Sequence, residues 1–454
     1  MAEPLPGIEH VILLMFENRS FDNMLGAFYP GSCDRGGVPE GFSNPYMGYS
    51  VPAWQAPAGS AAQTIPYPDP QESFDHMQEQ INSPYGSMMG FVVDYATVTG
   101  ADPRAIMQYY SAENVPVTYA LAMAYAASDS YFASGPVQTW PNRLFSICGT
   151  PGFDPDSNMA YLNNDEYPDY PAIMGQLGYP SIFEQLDQAG QTWRVYHDDE
   201  WPIAVLVNYV WERWDWLGSG GDVWPFETFF DDVRSNTLRT FSLIEPRYQM
   251  DTYDPFHHEA PTSNHPGSSS AWSSSGPPIS VSCGEQMLAN VFTALAENPE
   301  LFAKTLLIVT YDEHGGVFDH VTPPQAVSPF ETPVGNYNYE QYGVRVPTLF
   351  VNPYVKQGLF PPESATPLPY LDHTSILATL RDQFSLSGSL SPRVDAAPTL
   401  DGLIDPSQEP LAPPSITVPQ CTWSPPAAHQ HAEPIVRSML LRGAAGAAGK
   451  PTKT

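Results

Sequence analysis

Residues 11–16, VILLMF, form an unbroken apolar run that ends abruptly at Glu17. An apolar run of that length without alternation predicts a strand buried on both faces, as inside a parallel sheet. Residues 192–197 (TWRVYH), 240–244 (TFSLI), 305–311 (TLLIVTY) and 346–353 (VPTLFVNP) repeat the pattern. Helical patterns lie between these runs. In SIFEQLDQAG, Ser181 is placed to cap, Glu184 stands where a capping box needs it, and Gly190 ends the helix. GEQMLANVFTALAENPELF predicts a second helix leading into the strand at Thr305. Strands alternating with helices predict an α/β fold with a mostly parallel central sheet and helices on both faces. No stretch reaches the length of a membrane-spanning helix.

The excursions between these elements are long. Residues 27–70 are rich in Gly, Pro and Ser, 198–235 are dense in Trp, Asp and Phe, and 261–278 (PTSNHPGSSSAWSSSGPP) have the composition of a surface loop. The expected organisation is one main domain over 1–385, with insertions at about 27–70, 198–235 and 251–280, followed by a C-terminal extension over 386–454 with a poorly ordered tail.

Charge narrows the function. The chain of 454 residues carries 18 Lys and Arg against 50 Asp and Glu, a formal net charge of -32. That balance excludes nucleic acid as a partner and argues against strong attraction to anionic lipid. A phosphate-bearing ligand would need a local positive centre, which a bound metal ion supplies. The acidity equally suits an ordinary soluble surface. Cys33, Cys148, Cys283 and Cys421 show no metal-finger spacing and are compatible with free thiols or two disulfides, with Cys148 in a core-like context. The start MAEPLPGIEH lacks the basic region of a signal peptide. The expected location is therefore cytoplasmic, or secreted or periplasmic for a mature form or a non-standard export route.

Two strands end in oxygen-rich strings. Glu17 and Asn18 follow the first run, and Asp312 and Glu313 follow 305–311. In open α/β sheets ligands bind beyond the carboxyl ends of the strands. If the two strands are neighbours, three carboxylates and a carboxamide face one cation, which relieves their mutual repulsion. An all-oxygen set favours Ca²⁺, Mg²⁺ or Mn²⁺, and Zn²⁺ is compatible with it. A general acid/base pair or a set of surface acids is the plainer alternative. In GPVQTWPNRLFSICGT, Pro141 suits a first helical turn and places Thr139 near the N-cap. A hydroxyl there serves either as a cap or as a nucleophile toward a phosphoryl group held at the helix N-terminus.

HVILLMFENRSFDNMLG, TWPNR, YDEHGGVFDHV and GVRVPTLFVNP, in that order over residues 7–353, resemble the signature blocks of a bacterial and plant phosphoesterase family. That family contains the non-specific and phosphatidylcholine-preferring phospholipases C and related acid phosphatases; SLIEPRY, VSCGEQML and LDHTSIL add weaker matches. The resemblance implies an alkaline phosphatase-like fold and one divalent metal ion held by Glu17, Asn18, Asp312 and Glu313. It implies Thr139 as the attacking hydroxyl, with Asn142 and Arg143 completing that motif and Arg143 bracing the loop. His265 and His320 become the catalytic histidines, and Asn142, His314, His373 and Glu72 the substrate contacts. His257 and His258 lie in an insertion that does not align.

Two departures bear on substrate rather than chemistry. Glu72, in DPQE, stands where many relatives carry a phosphate-contacting histidine, and Ser280 stands where they carry an aspartate. The implied activity is hydrolysis of the glycerol-side phosphodiester of phosphatidylcholine-like lipids through a phosphothreonine. The alternatives are an acid phosphatase acting on soluble monoesters, an inactive metal- or phosphate-binding protein, and a scaffold with structural Ca²⁺. The partners so implied are a phospholipid or a small phosphoester, with peripheral membrane contact at most; lipase action needs an apolar entrance, for which the aromatic-rich residues 201–218 are a candidate, packed structure being the plainer reading of them.

Overall fold

The computed structural model describes residues 4–421 except 30, 33–34, 60–61, 169–172, 200, 216–220, 249–259 and 268–277. Cys33, His257, His258, most of the Ser-rich segment and the tail after 421 lie outside the described residues.

One eight-stranded sheet organises the chain. Its strands are β1 (His10–Phe16), β2 (Ala126–Ser128), β3 (Trp193–His197), β4 (Val223–Pro225), β5 (Phe241–Glu245), β6 (Thr305–Tyr311), β7 (Thr348–Val351) and β8 (Gly358–Leu359). In space they run β4-β3-β5-β1-β6-β7-β2-β8. All neighbouring pairs are parallel except β6 with β7 and β7 with β2, so β7 alone runs against the rest. The sheet is thus α/β and mostly parallel, as its apolar runs predict. Those runs succeed as signals because β1 and β6 bury nearly every side chain on both faces. The strands that sequence reading misses, β2, β4 and β8, have two or three residues each, too few to show a period.

The helices that matter to the site are α1 (Phe21–Leu25), α2 (Thr139–Cys148), α3 (Ile182–Gln188), α4 (Val281–Ala296) and α5 (His373–Gln383). Ser181 caps α3 by accepting from the Glu184 N–H at 3.3 Å. The reciprocal half of the expected capping box is absent, because the Glu184 carboxylate accepts from Gln188 at 3.3 Å instead. Helix α2 ends at Gly149, whose φ of +70° is a left-handed conformation that glycine adopts without strain. A Cβ there would also meet Val394 at 2.4 Å. In 201–215, Trp201 and Trp211 pack edge-on against Trp214 at 5.0 and 5.8 Å between centroids, and Trp211 remains exposed.

Cys283 on α4 is bonded to Cys421, closing a loop across 138 residues, and Cys148 is a buried free thiol. A cross-link over so long a loop restricts the unfolded chain, typically worth about 2–4 kcal/mol. Urea denaturation with and without reductant should therefore show a lower midpoint after reduction. Equal midpoints would mean that the bond adds no net stability.

Candidate functional site

Strands β1 and β6 are direct neighbours, in register from His10 opposite Thr305 to Phe16 opposite Tyr311. That register places Glu17 and Asn18 beside Asp312 and Glu313 at the carboxyl edge of the sheet. Asn18 leaves the strand with a φ of +56°, a left-handed turn that asparagine tolerates better than most residues. Its N–H donates to Asp312 Oδ1 at 3.0 Å. Gly315 closes over this turn so tightly that a Cβ would lie 2.3 Å from the Asn18 carbonyl oxygen. The glycine after DEH is therefore a requirement of the two strand ends meeting.

Helix α2 brings in Thr139 and Arg143. Gln138 holds the N-cap position and makes no side-chain cap, so Thr139 is the first helical residue. The Thr139 hydroxyl donates to Asn18 Oδ1 at 3.4 Å, a loose contact of the kind that tightens when substrate binds. Arg143 donates to Asp312 Oδ2 at 3.0 Å and to the carbonyls of Met15 and Phe16 at 3.1 and 3.0 Å. It braces the ends of β1 and β6. Asn142 uses its amide on the preceding loop, accepting from Gly135 N–H at 3.1 Å and donating to Val137 O at 2.7 Å. Its place is in shaping the turn that presents Thr139.

The histidines divide. His265 Nε2 lies 3.4 Å from Glu72 Oε1 and its Nδ1 3.7 Å from Asp69 Oδ1. Although burial works against it, the charges of Asp69 and Glu72 hold His265 well above the usual imidazole range. His373 starts α5 and is fully buried, with Nε2 donating to the Asp312 carbonyl at 2.8 Å. Burial holds His373 down at about 4, so the neutral ring has Nδ1 free to accept from the Tyr131 hydroxyl at 3.3 Å. His314, also pushed to about 4 by burial, bonds Gln80 Oε1 at 2.8 Å and sits behind Glu313 at 3.4 Å. Both rings support the acids from behind.

His320 belongs to a different cluster. Its ring nitrogens meet Asp22 Oδ2 at 2.6 Å and Ser32 O at 2.8 Å, which leaves neither for a reacting group. The expectation of a catalytic His320 therefore gives way to a structural placement. Sequence reading missed the rest of this cluster. Arg345 donates to Asp319 Oδ1 at 3.0 Å and to Asp22 Oδ1 at 3.1 Å, and Phe21 N–H donates back to Arg345 O at 3.0 Å. The second half of ENRSFD thus clamps the loops after β1 and β6 together. The signal was available in the acid and arginine of the SFD, FDH and GVRVP strings, whose strict polarity inside apolar surroundings no surface loop needs.

The residues around Thr139 carry more negative charge than the protein neutralises. Glu17, Glu72, Asp312 and Glu313 face the cations Arg143 and His265. Burial, reinforced by the charge of Asp312, raises Glu17 to about 8. Burial likewise raises Asp312, and Glu313 well above the carboxylate range, with Glu72 and Asp312 adding to the effect on Glu313. Burial also opposes ionisation of Glu72, but His265 outweighs it and holds Glu72 low. Glu313 Oε1 is buried without a hydrogen-bond partner. An orphaned carboxylate oxygen among surplus hard donors fits a divalent cation. Among the described residues, the acids here that gather with a histidine within 4.8 Å of one another are Asp69 and Glu72 with His265; Glu17, Asp312 and Glu313 form no such trio.

Residues 8–387 match the model of the Phosphoesterase family. Non-specific phospholipase C3 of Arabidopsis thaliana is 30% identical over 417 residues, covering 88% of this chain and 73% of that protein. Phospholipase C B of Mycobacterium tuberculosis is 28% identical over 438 residues, covering 85% of this chain and 75% of its own. A solved protein in the alkaline phosphatase superfamily from Vibrio parahaemolyticus aligns over 87% of this chain and 71% of its own, at a TM-score of 0.36 and 10% identity. That likeness is too remote to bear weight, and the α/β assignment stands on the strand order itself. The family match spans every residue of the site from Glu17 to His373, and this chain belongs to the Phosphoesterase family and is a phosphoric ester hydrolase.

Proposed function

We propose that this protein is a metal-dependent phospholipase C-type hydrolase, cleaving the glycerol-side phosphodiester of phosphatidylcholine-like lipids through a phosphothreonine at Thr139. The observation that carries the reading is the contact between Thr139 and Asn18. It sets a helix N-terminal hydroxyl on the joined ends of β1 and β6, where ligands bind in such sheets.

Glu17, Asn18, Asp312 and Glu313 would hold the divalent ion, which when bound supplies Lewis-acid polarisation and charge neutralisation. The rest follows from the chain's own groups. Arg143 fixes Asp312 and the two strand ends, and Asn142 fixes the turn before Thr139. Thr139 Oγ1 gives its proton to a carboxylate of the joined strand ends and forms the new bond to phosphorus as the ester P–O bond breaks, and the departing alkoxide takes a proton from His265. Water then attacks the phosphothreonine and gives a proton to His265, the bond from phosphorus to Thr139 Oγ1 breaks as that oxygen takes its proton back from the carboxylate, and the phosphorylated head group leaves. His265 suits this role because its acidic neighbours keep it protonated until a stronger demand arises. The Cys283–Cys421 bond supports an oxidising compartment, the secreted or periplasmic alternative.

Initial rates on phosphatidylcholine vesicles and on p-nitrophenyl phosphate, each with and without a chelator, test the reading. The expected result is a chelator-sensitive preference for the diester. A preference for the monoester would make the protein a phosphatase, and turnover of neither would favour a binding protein.

A further inference from the structure

Asp69, Glu72 and His265 stand against the catalytic group, yet the mechanism uses only the histidine. The Glu72 side chain is 11% exposed, with Oε1 3.4 Å from His265 Nε2 and Oε2 accepting a hydrogen bond from Asn18 Nδ2. Asn18 turns its other amide atom, Oδ1, to the Thr139 hydroxyl at 3.4 Å. Spanning that amide and its two contacts puts Glu72 Oε2 no more than about 8 Å from the nucleophile, within one Debye length. Asp69 Oδ1 lies 3.7 Å from the other ring nitrogen of His265, and burial raises Asp69 to about 7, so Glu72 is the acid of this trio that holds its charge.

Glu72, which His265 holds ionised against burial, keeps a negative charge beside any phosphoryl group seated on Thr139. A phosphodiester presents one negative charge there, whereas a monoester above about pH 7 presents nearly two. We propose that Glu72 is the specificity-determining residue of this site: its carboxylate opposes dianionic monoesters and so selects singly charged phosphodiesters. This inference rests on the hydrolase reading above and narrows its substrate class. One unit charge at this separation, in an effective dielectric of about 20, discriminates by roughly 10- to 100-fold.

The experiment compares kcat/KM for bis(p-nitrophenyl) phosphate and p-nitrophenyl phosphate, which share a leaving group, in the wild type and in Glu72→Gln. Glutamine keeps an acceptor for Asn18 and removes the charge. The diester-to-monoester ratio, measured at saturating Mn²⁺, should fall about 10- to 100-fold in the variant, with the melting temperature of the Mn²⁺-loaded protein unchanged. An unchanged ratio overturns the proposal. So does a parallel loss on both substrates with weakened Mn²⁺ binding, which would make Glu72 a metal ligand instead. A wild type that prefers monoesters sinks the phospholipase reading alone, since the change of ratio still decides what Glu72 does. If neither ester turns over, calorimetric binding of inorganic phosphate to the Mn²⁺-loaded protein decides: tighter binding to Glu72→Gln supports the charge filter, and equal binding overturns it.

Discussion

Thr139→Ala should lower the hydrolysis of every substrate by at least about 10³-fold, because a nucleophile's loss leaves only binding and electrostatics to act. Folding should hardly change. The hydroxyl makes one loose contact with Asn18, Gln138 rather than Thr139 holds the N-cap position, and alanine suits the first helical turn. The variant's melting temperature should therefore stay near that of the wild type while its kcat collapses. Thr139→Ser should keep measurable activity, since it retains an attacking oxygen at the same position. Acid quenching during turnover, followed by mass spectrometry of the peptide containing Thr139, should find a phosphoryl-bearing adduct on the wild type and none on Thr139→Ala. Hydrolysis by Thr139→Ala within a few-fold of wild type would remove Thr139 from the mechanism and leave direct attack by water.

The fold and half of the site could be read from the sequence because both are local. A buried parallel strand announces itself as a short apolar run, and the polar residues at its end announce the edge where ligands bind. Glu17, Asn18, Asp312 and Glu313 needed one further fact, that β1 and β6 are neighbours, and a pairing across nearly three hundred residues leaves no periodic trace. The histidines show the limit most clearly. His265, His314, His320 and His373 are equivalent as letters, and their placement depends on which partner reaches the second ring nitrogen. For His320 that partner is Asp22, itself fixed by Arg345, so its placement is a property of three distant loops. Glu72 shows the reverse case: its position in DPQE was legible, but its consequence depends on the contact with Asn18.

Removing divalent metal should abolish hydrolysis, and the pH dependence of stability should report why. Without a cation, the crowded acids must keep protons: Glu17 is raised from 4.5 to about 8 by burial, and burial with the charges of Glu72 and Asp312 raises Glu313 well above the carboxylate range. Between these ordinary and raised values the folded chain binds more protons than the unfolded chain. Stability of the metal-free protein then falls as pH rises through that window, for Glu17 from about 4.5 toward 8. A bound ion replaces those protons, so its affinity should rise over the same range and its binding should release protons. Melting curves of chelated and Mn²⁺-loaded protein should accordingly lie close together near pH 5 and separate widely near pH 8. Calorimetry in buffers of different ionisation enthalpy would count the protons released. A metal effect on stability that is the same at both pH values would place the ion away from Glu17 and Glu313. Full activity after exhaustive chelation would remove the metal from the reaction and leave the buried acids of β1 and β6 as a proton-sharing pair.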